Sequence, residues 1–220
     1  DIDGTLVLTG GAGVRAMNRA CADFKMSPDA LTGIPVAGRT DRIILSDVVE
    51  RAGHRLDDGL LGQLRDRYVA YLADEIHHPG RGVKAMMPGI PTLLDVLAGR
   101  DDVFLGLLTG NFEAGARIKL GYFDLMKYFR CGAYGDDAAD RNALVPFALE
   151  RARACGFPEC APDDILVVGD TPHDVACARA VGAVPIAVAT GGFTIDDLRA
   201  TGADLVFQDL SDTEAFLALL

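Results

Sequence analysis

Ile165-Leu166-Val167-Val168-Gly169-Asp170-Thr171-Pro172-His173-Asp174 is an apolar run that ends abruptly in two carboxylates four residues apart. Ile165 to Val168 has the length and composition of a strand buried on both faces, and Asp174 to Val181 follows it with a helical pattern. The same alternation recurs on either side. Val103 to Leu108 and Val184 to Val188 read as strands, while 90–97, 113–120, 144–155, 195–201 and 213–219 read as helices. Parallel strands need a crossover connection, usually a helix, so strand alternating with helix predicts a parallel sheet covered on both faces.

A second acidic pair stands at the other end of the chain, in Asp1-Ile2-Asp3-Gly4-Thr5-Leu6. Side chains alternate faces in an extended segment, so Asp1 and Asp3 point the same way while Ile2 turns to the core. Gly4 and Thr5 then turn the chain. A carboxylate pair of this kind needs an apolar strand leading into it, so the native polypeptide is expected to carry several apolar residues ahead of Asp1. Two acidic pairs at strand ends point to metal-assisted chemistry on a phosphate.

The stretch from 11 to 87 differs. It shows helical patterns at Val14 to Phe24, Asp41 to Ala52 and Leu60 to Ile76, with no convincing strand. Turn and hinge chemistry flanks it, at Thr9-Gly10-Gly11-Ala12-Gly13 and from His78-Pro79-Gly80-Arg81-Gly82 through Pro88-Gly89. The expected organisation is an α/β core at 1–10 and 88–220, with an all-helical cap at 11–87. No internal repeat or low-complexity segment is present.

Composition narrows the function. Half of the 220 residues are hydrophobic, ample for a buried core. A net charge of −11 and an isoelectric point near 4.7 argue against a nucleic-acid backbone as partner, which draws on clustered Lys and Arg. No apolar run approaches the roughly 18 residues that a membrane span needs, so no membrane partner is expected and a cytoplasmic location is the default. Five cysteines at irregular spacing predict reduced thiols. Cys155 and Cys160 lack a second Cys or His pair that would complete a tetrahedral site, so zinc is not expected.

Taken together, Asp1-Ile2-Asp3-Gly4-Thr5, Leu107-Leu108-Thr109-Gly110-Asn111 and Val167-Val168-Gly169-Asp170-Thr171-Pro172-His173-Asp174 resemble the first, second and fourth motifs of the haloacid dehalogenase superfamily. The closest likeness is to its phosphoglycolate-phosphatase-like members with a helical C1-type cap inserted soon after the first motif. The resemblance implies a Rossmann-like α/β fold, a parallel sheet with helices on both faces plus the all-α cap, and a site at the carboxyl ends of the strands, as is general for such sheets.

It also implies roles. Asp1 would be the nucleophile that forms an aspartyl-phosphate, and Asp3 the general acid and base. Asp1, the Asp3 carbonyl, Asp170 and Asp174 would hold Mg²⁺, since two anions do not approach without a hard cation. Thr109, Gly110 and Asn111 would cradle the phosphate at a helix start. The family's third motif supplies a lysine. In Asp140-Arg141-Asn142-Ala143-Leu144-Val145-Pro146, Arg141 takes that place by position, with Lys119 and Lys127 as alternatives. In the cap, Arg39 and Arg42 of Gly38-Arg39-Thr40-Asp41-Arg42 stand where related caps reach the substrate, although both suit solvated helix-start charges equally. His54, His77 and His78 read as surface or hinge residues.

An acid at position 3 is absent from the dehalogenating and phosphonate-cleaving members, so the expectation is an Mg²⁺-dependent phosphomonoester hydrolase. Its substrate would be a small phosphorylated metabolite, a phosphoglycolate-like acid or a sugar phosphate. Two alternatives remain open at this point, a phosphosugar mutase of the same superfamily and a non-catalytic phosphate-binding regulatory module. The oligomeric state is left open.

Overall fold

A computed structural model describes all of residues 1–220. Nine α-helices and seven short strands alternate along it. The strands form two parallel groups and one antiparallel ribbon. Strand β3 (Gly106–Leu108) pairs in parallel with β4 (Cys131–Ala133), Leu107 lying opposite Gly132. Strands β5 (Leu166–Gly169), β6 (Val184–Val188) and β7 (Leu205–Phe207) form the second parallel group, with Val168 opposite Ile186 and Ala187 opposite Val206. The pattern thus gives a parallel α/β core with a helical cap.

Before that core comes a ribbon. Strand β1 (Val7–Thr9) runs antiparallel to β2 (Lys84–Met86), Val7 opposite Met86 and Thr9 opposite Lys84. β2 is a strand inside the stretch that reads as purely helical. Its three residues Lys-Ala-Met carry no alternation to announce them, and pairing with β1 alone makes them extended. The ribbon brings the chain back after the cap helices α1 (Ala12–Asp23), α2 (Asp41–Arg51) and α3 (Asp58–Glu75).

The helices lie close to their expected positions because their starts are marked. Thr40 accepts a hydrogen bond from Ile43 N–H and caps α2, and Asp57 does the same for Leu60 N–H at α3. The apolar faces of α1, α2 and α3 close on one another through Met17, Cys21, Leu45, Val49, Leu64 and Leu72. A second apolar cluster fills the core from Ile2 and Val7 to Leu93, Leu107, Leu120 and Ile186. Phe112, just ahead of α5 (Glu113–Tyr122), joins the cap's cluster and lies 6.3 Å from Tyr68, ring centre to ring centre.

β3 and β5 belong to separate hydrogen-bonded groups of strands. They bound an apolar cavity of about 300 Å³ lined by Leu94, Leu97, Leu105, Leu107, Val145 and Val167 among others. Asp1 sits at its rim, and its backbone nitrogen donates to Val168 O at 2.9 Å. Ile2 is fully buried, as alternation predicts, and Gly4 (φ +83°) turns the chain so that the Ile2 carbonyl accepts from Leu6 and Val7.

Candidate active site

The ends of β3 and β5 and the segment 1–5 converge at one place. Asp1, Asp170 and Asp174 offer carboxylate oxygens that all lie within 4.8 Å of one another. The side chains of Asp170 and Asp174 are buried, and so is that of Asp1. Asp170 follows β5 directly. Its Oδ1 accepts from Thr5 Oγ1 at 3.0 Å, and the glycines at 4 and 191 bring backbone against it where any Cβ would collide with its carboxylate. Desolvation, with the Asp174 charge beside it, pushes the Asp170 carboxyl up to about 6.

Asp174 is held twice. It lies in the first turn of α7 (Pro172–Arg179), where its Oδ2 accepts from Thr171 N–H at 3.0 Å and Thr171 Oγ1 at 2.7 Å, a capping box. Its Oδ1 accepts from Arg141 Nη2, and the same nitrogen is 3.2 Å from Asp1 Oδ1. Arg141 is 94% buried, its side chain only 6% exposed, in a 3₁₀ turn at Arg141–Ala143 ahead of α6 (Leu144–Ala154). Its Nη1 donates to Gly38 O at 3.3 Å, and its Nε is buried without a partner. Buried donors are nearly always satisfied, so an orphan beside three carboxylates marks a place where an acceptor fits.

Asp3 does not join the three carboxylates. Its Oδ2 accepts from Lys119 Nζ at 2.6 Å and from Asn111 Nδ2 at 2.9 Å. Asn111 also bonds Thr109 Oγ1 at 2.8 Å through Nδ2 and accepts from Lys119 at 2.6 Å through Oδ1. Thr109 and Asn111 are buried, and Thr109 N–H continues the β3–β4 ladder by donating to Ala133 O. The second motif is therefore a small network of side chains spanning from β3 to Asp3.

The cap closes over this network through one segment. Asp41 N–H donates to Gly110 O at 2.7 Å, Phe112 N–H donates to Asp41 Oδ2 at 2.9 Å, and Thr40 Oγ1 donates to Ala139 O at 2.7 Å. The approach is so close that a Cβ on Gly110 would run into the Arg39 carbonyl. Burial pushes the Asp41 carboxyl up to about 6, against the opposing pull of Lys119 and of the Phe112 N–H.

Of the residues singled out in the sequence, Asp1, Asp170, Asp174 and Arg141 meet directly, and Asp3, Thr109, Gly110 and Asn111 border them. Arg39 and Arg42 are not brought to Asp1: Arg39 Nη1 pairs with Asp47 at 2.7 Å and Arg42 lies 3.6 Å from Asp58, both within the cap. Lys127 pairs with Asp124 on the surface. His54, His77, His78 and His173 are exposed. The sequence carried no sign of Asp41 as a buried cap-to-core contact or of Thr5 as the partner of Asp170. The donor set is all oxygen and closely spaced, with one carboxyl raised by burial. It suits a hard divalent cation, which would relieve the repulsion among the three carboxylates.

A family model described as HAD-hydrolase-like matches residues 141–213. A phosphoglycolate phosphatase of Rhodospirillum rubrum is 29% identical over 213 residues, which cover 96% of this chain and 86% of that protein. Among solved structures, a predicted phosphoglycolate phosphatase from Haemophilus somnus 129PT superposes with a TM-score of 0.71 at 18% identity, covering 99% of this chain and 95% of that one. CbbY from Rhodobacter sphaeroides, solved in complex with phosphate, gives a TM-score of 0.67 at 21% identity over 96% of this chain and 93% of its own. The last two likenesses show the fold.

Proposed function

We propose that the chain is a phosphatase of the haloacid dehalogenase superfamily and that it hydrolyses a small phosphomonoester through an aspartyl-phosphate on Asp1. One observation carries the reading. Asp1, Asp170 and Asp174 converge within 4.8 Å under a buried arginine whose Nε lacks a partner, at the end of a parallel sheet.

In this reading the Asp1 carboxylate attacks phosphorus and Asp3 gives a proton to the departing oxygen. Water then attacks the phosphorus while Asp3 takes its proton back, and the Asp1 carboxylate leaves. Arg141 holds Asp1 by one amino group, and its unpaired Nε is a donor that a phosphoryl oxygen would satisfy. Thr109 and the Gly110 amide would take up further phosphoryl oxygens in this reading. Mg²⁺ held by Asp1, Asp170 and the Asp3 carbonyl would neutralise charge on the phosphoryl group, with Asp174 as support because Thr171 and Arg141 already occupy its oxygens.

A substrate of the phosphoglycolate kind, a small phosphorylated acid, agrees with the name of the Rhodospirillum rubrum relative and with a cap that is hydrogen-bonded down onto Gly110 and Phe112. A panel of metabolite phosphates assayed for phosphate release, with and without Mg²⁺, tests the reading. Metal-dependent release that is fastest from small phosphorylated acids supports it. Absence of metal-dependent release from every phosphate in the panel overturns it.

A further inference from the structure

A second buried cation stands beside the Arg141 cluster. Lys119 projects from α5 under the cap and is only 4% exposed. Its Nζ has two acceptors, Asp3 Oδ2 and Asn111 Oδ1, each at 2.6 Å. A glycine makes room for it. A Cβ on Gly13 of α1 would lie 3.4 Å from Nζ, and the Tyr68 hydroxyl of α3 borders the same space. Burying an ammonium is costly unless it is paired and hydrogen-bonded, and here both conditions are met at one oxygen of one carboxylate.

The pairing is lopsided. Asp3 Oδ2 accepts from both Lys119 and Asn111, while Oδ1 accepts no hydrogen bond and the side chain stays 43% exposed. A carboxylate so exposed would otherwise turn freely about its last bond. Two donors on Oδ2, one of them charged and therefore short and strong, hold it in one orientation with Oδ1 turned outward.

We propose that Lys119 is a positioning residue that, together with Asn111, pins Asp3 by one oxygen and leaves the other free to exchange the proton of the attacking water. The proposal rests on the aspartyl-phosphate reading. In the step concerned, the water oxygen forms a bond to phosphorus and its proton passes to Asp3 Oδ1. The bond from phosphorus to the Asp1 oxygen breaks, its electron pair returning to the Asp1 carboxylate, and inorganic phosphate departs. The proton on Asp3 then serves the leaving oxygen of the next substrate. Misorientation of a catalytic group costs up to about 100-fold, and here it would act on this step.

A purely structural role for Lys119, tying α5 to the cap, would affect both chemical steps alike. The two are separated by rapid quench with p-nitrophenyl phosphate and Mg²⁺, because nitrophenolate leaves without needing a proton from Asp3. In Lys119→Met, formation of the covalent phosphate should match the parent while its loss slows by about 10- to 100-fold, so that phosphoenzyme accumulates. Lys119→Gln, which keeps a neutral donor, should fall between, and it decides by the same two rates if the methionine variant does not fold. Equal slowing of both steps, a change in KM alone, or parent-like loss overturns the proposal. A parent enzyme that never forms covalent phosphate overturns the aspartyl-phosphate reading, and this proposal with it. A parent that traps normally beside variants with no selective slowing overturns the role of Lys119 alone.

Discussion

Arg141 Nη2 lies 3.2 Å from Asp1 Oδ1 while hydrogen-bonding Asp174 with the same nitrogen, so one buried guanidinium joins the start of the chain to the first turn of α7. Without it two buried carboxylates lose their counter-charge. Removing one partner of a buried ion pair costs about 3–5 kcal/mol, because the remaining charge is left uncompensated. Arg141→Met is expected to unfold at lower denaturant by about that amount and to lose phosphate release. Arg141→Lys, which keeps the charge but not the fork, should recover much of the stability and little of the activity. Equal activity in the parent and in Arg141→Lys would show that the guanidinium shape is not used.

Charge repulsion within the cluster predicts a response to metal. Mg²⁺ bound to the folded state alone raises stability by RT ln(1 + [L]/Kd), about 2.7 kcal/mol at a hundredfold excess over Kd. Thermal unfolding of the parent should move upward with Mg²⁺, and Asp170→Asn should abolish most of the shift. A shift of the same size in that variant would place the ion elsewhere.

Asp41 gives a pH-dependent prediction. Its carboxyl is raised from the usual 3.8 to about 6 by burial. Such an acid favours the folded state fully below its unfolded value, and the advantage is lost as pH climbs through about 6. Relative to Asp41→Asn, whose amide carries no charge but still accepts from Phe112 N–H, the parent should therefore weaken between about pH 4 and 6 and remain weaker above. A rise of about two units corresponds to about 3 kcal/mol. Urea unfolding of both proteins near pH 4 and near pH 7.5 measures this. A stability difference that stays constant with pH, or moves the other way, contradicts it.

The contact of Gly110 with the Arg39 carbonyl leaves no space for a methyl group. Gly110→Ala should lift the cap segment off the core and lower stability by about 1–3 kcal/mol, as overpacking does. KM should rise as the cap loses its seat. A variant with parent-like KM and melting temperature would show that the segment yields without cost.

The elements that announced themselves in the sequence were those carrying an apolar run or a marked start. Val184–Val188 is a five-residue strand whose bounds match the apolar run, and Thr40, Asp57 and Thr171 mark helix starts. β4 was not visible because Cys131-Gly132-Ala133 has no β-branched residue, and β7 is only three residues long between polar neighbours. At the site, local motifs singled out Thr109 and Asp170, which directly follow the apolar strands β3 and β5, and Asp174, which lies in the first turn of the helix after β5. Lys119 stood only as an alternative to Arg141, and its pairing with Asp3 was illegible for a different reason. Lys119 reaches Asp3 across 116 residues of sequence through the packing of α5 under α1 and α3, and nothing local distinguishes it from a surface lysine. Arg39 illustrates the converse, because an acid eight residues on, Asp47, takes up the charge that its motif position suggested for a ligand.

In the proposed reaction Asp1 is the group that carries the phosphoryl. Acid quench during turnover of p-nitrophenyl phosphate with Mg²⁺, followed by mass spectrometry of the peptide that contains Asp1, measures this directly. The expected result is one phosphoryl group on Asp1 in the parent, chased away when substrate is exhausted, and none in Asp1→Asn together with loss of phosphate release. Phosphate release that persists in Asp1→Asn, or a parent that turns over without any phosphoryl on Asp1, would contradict the account.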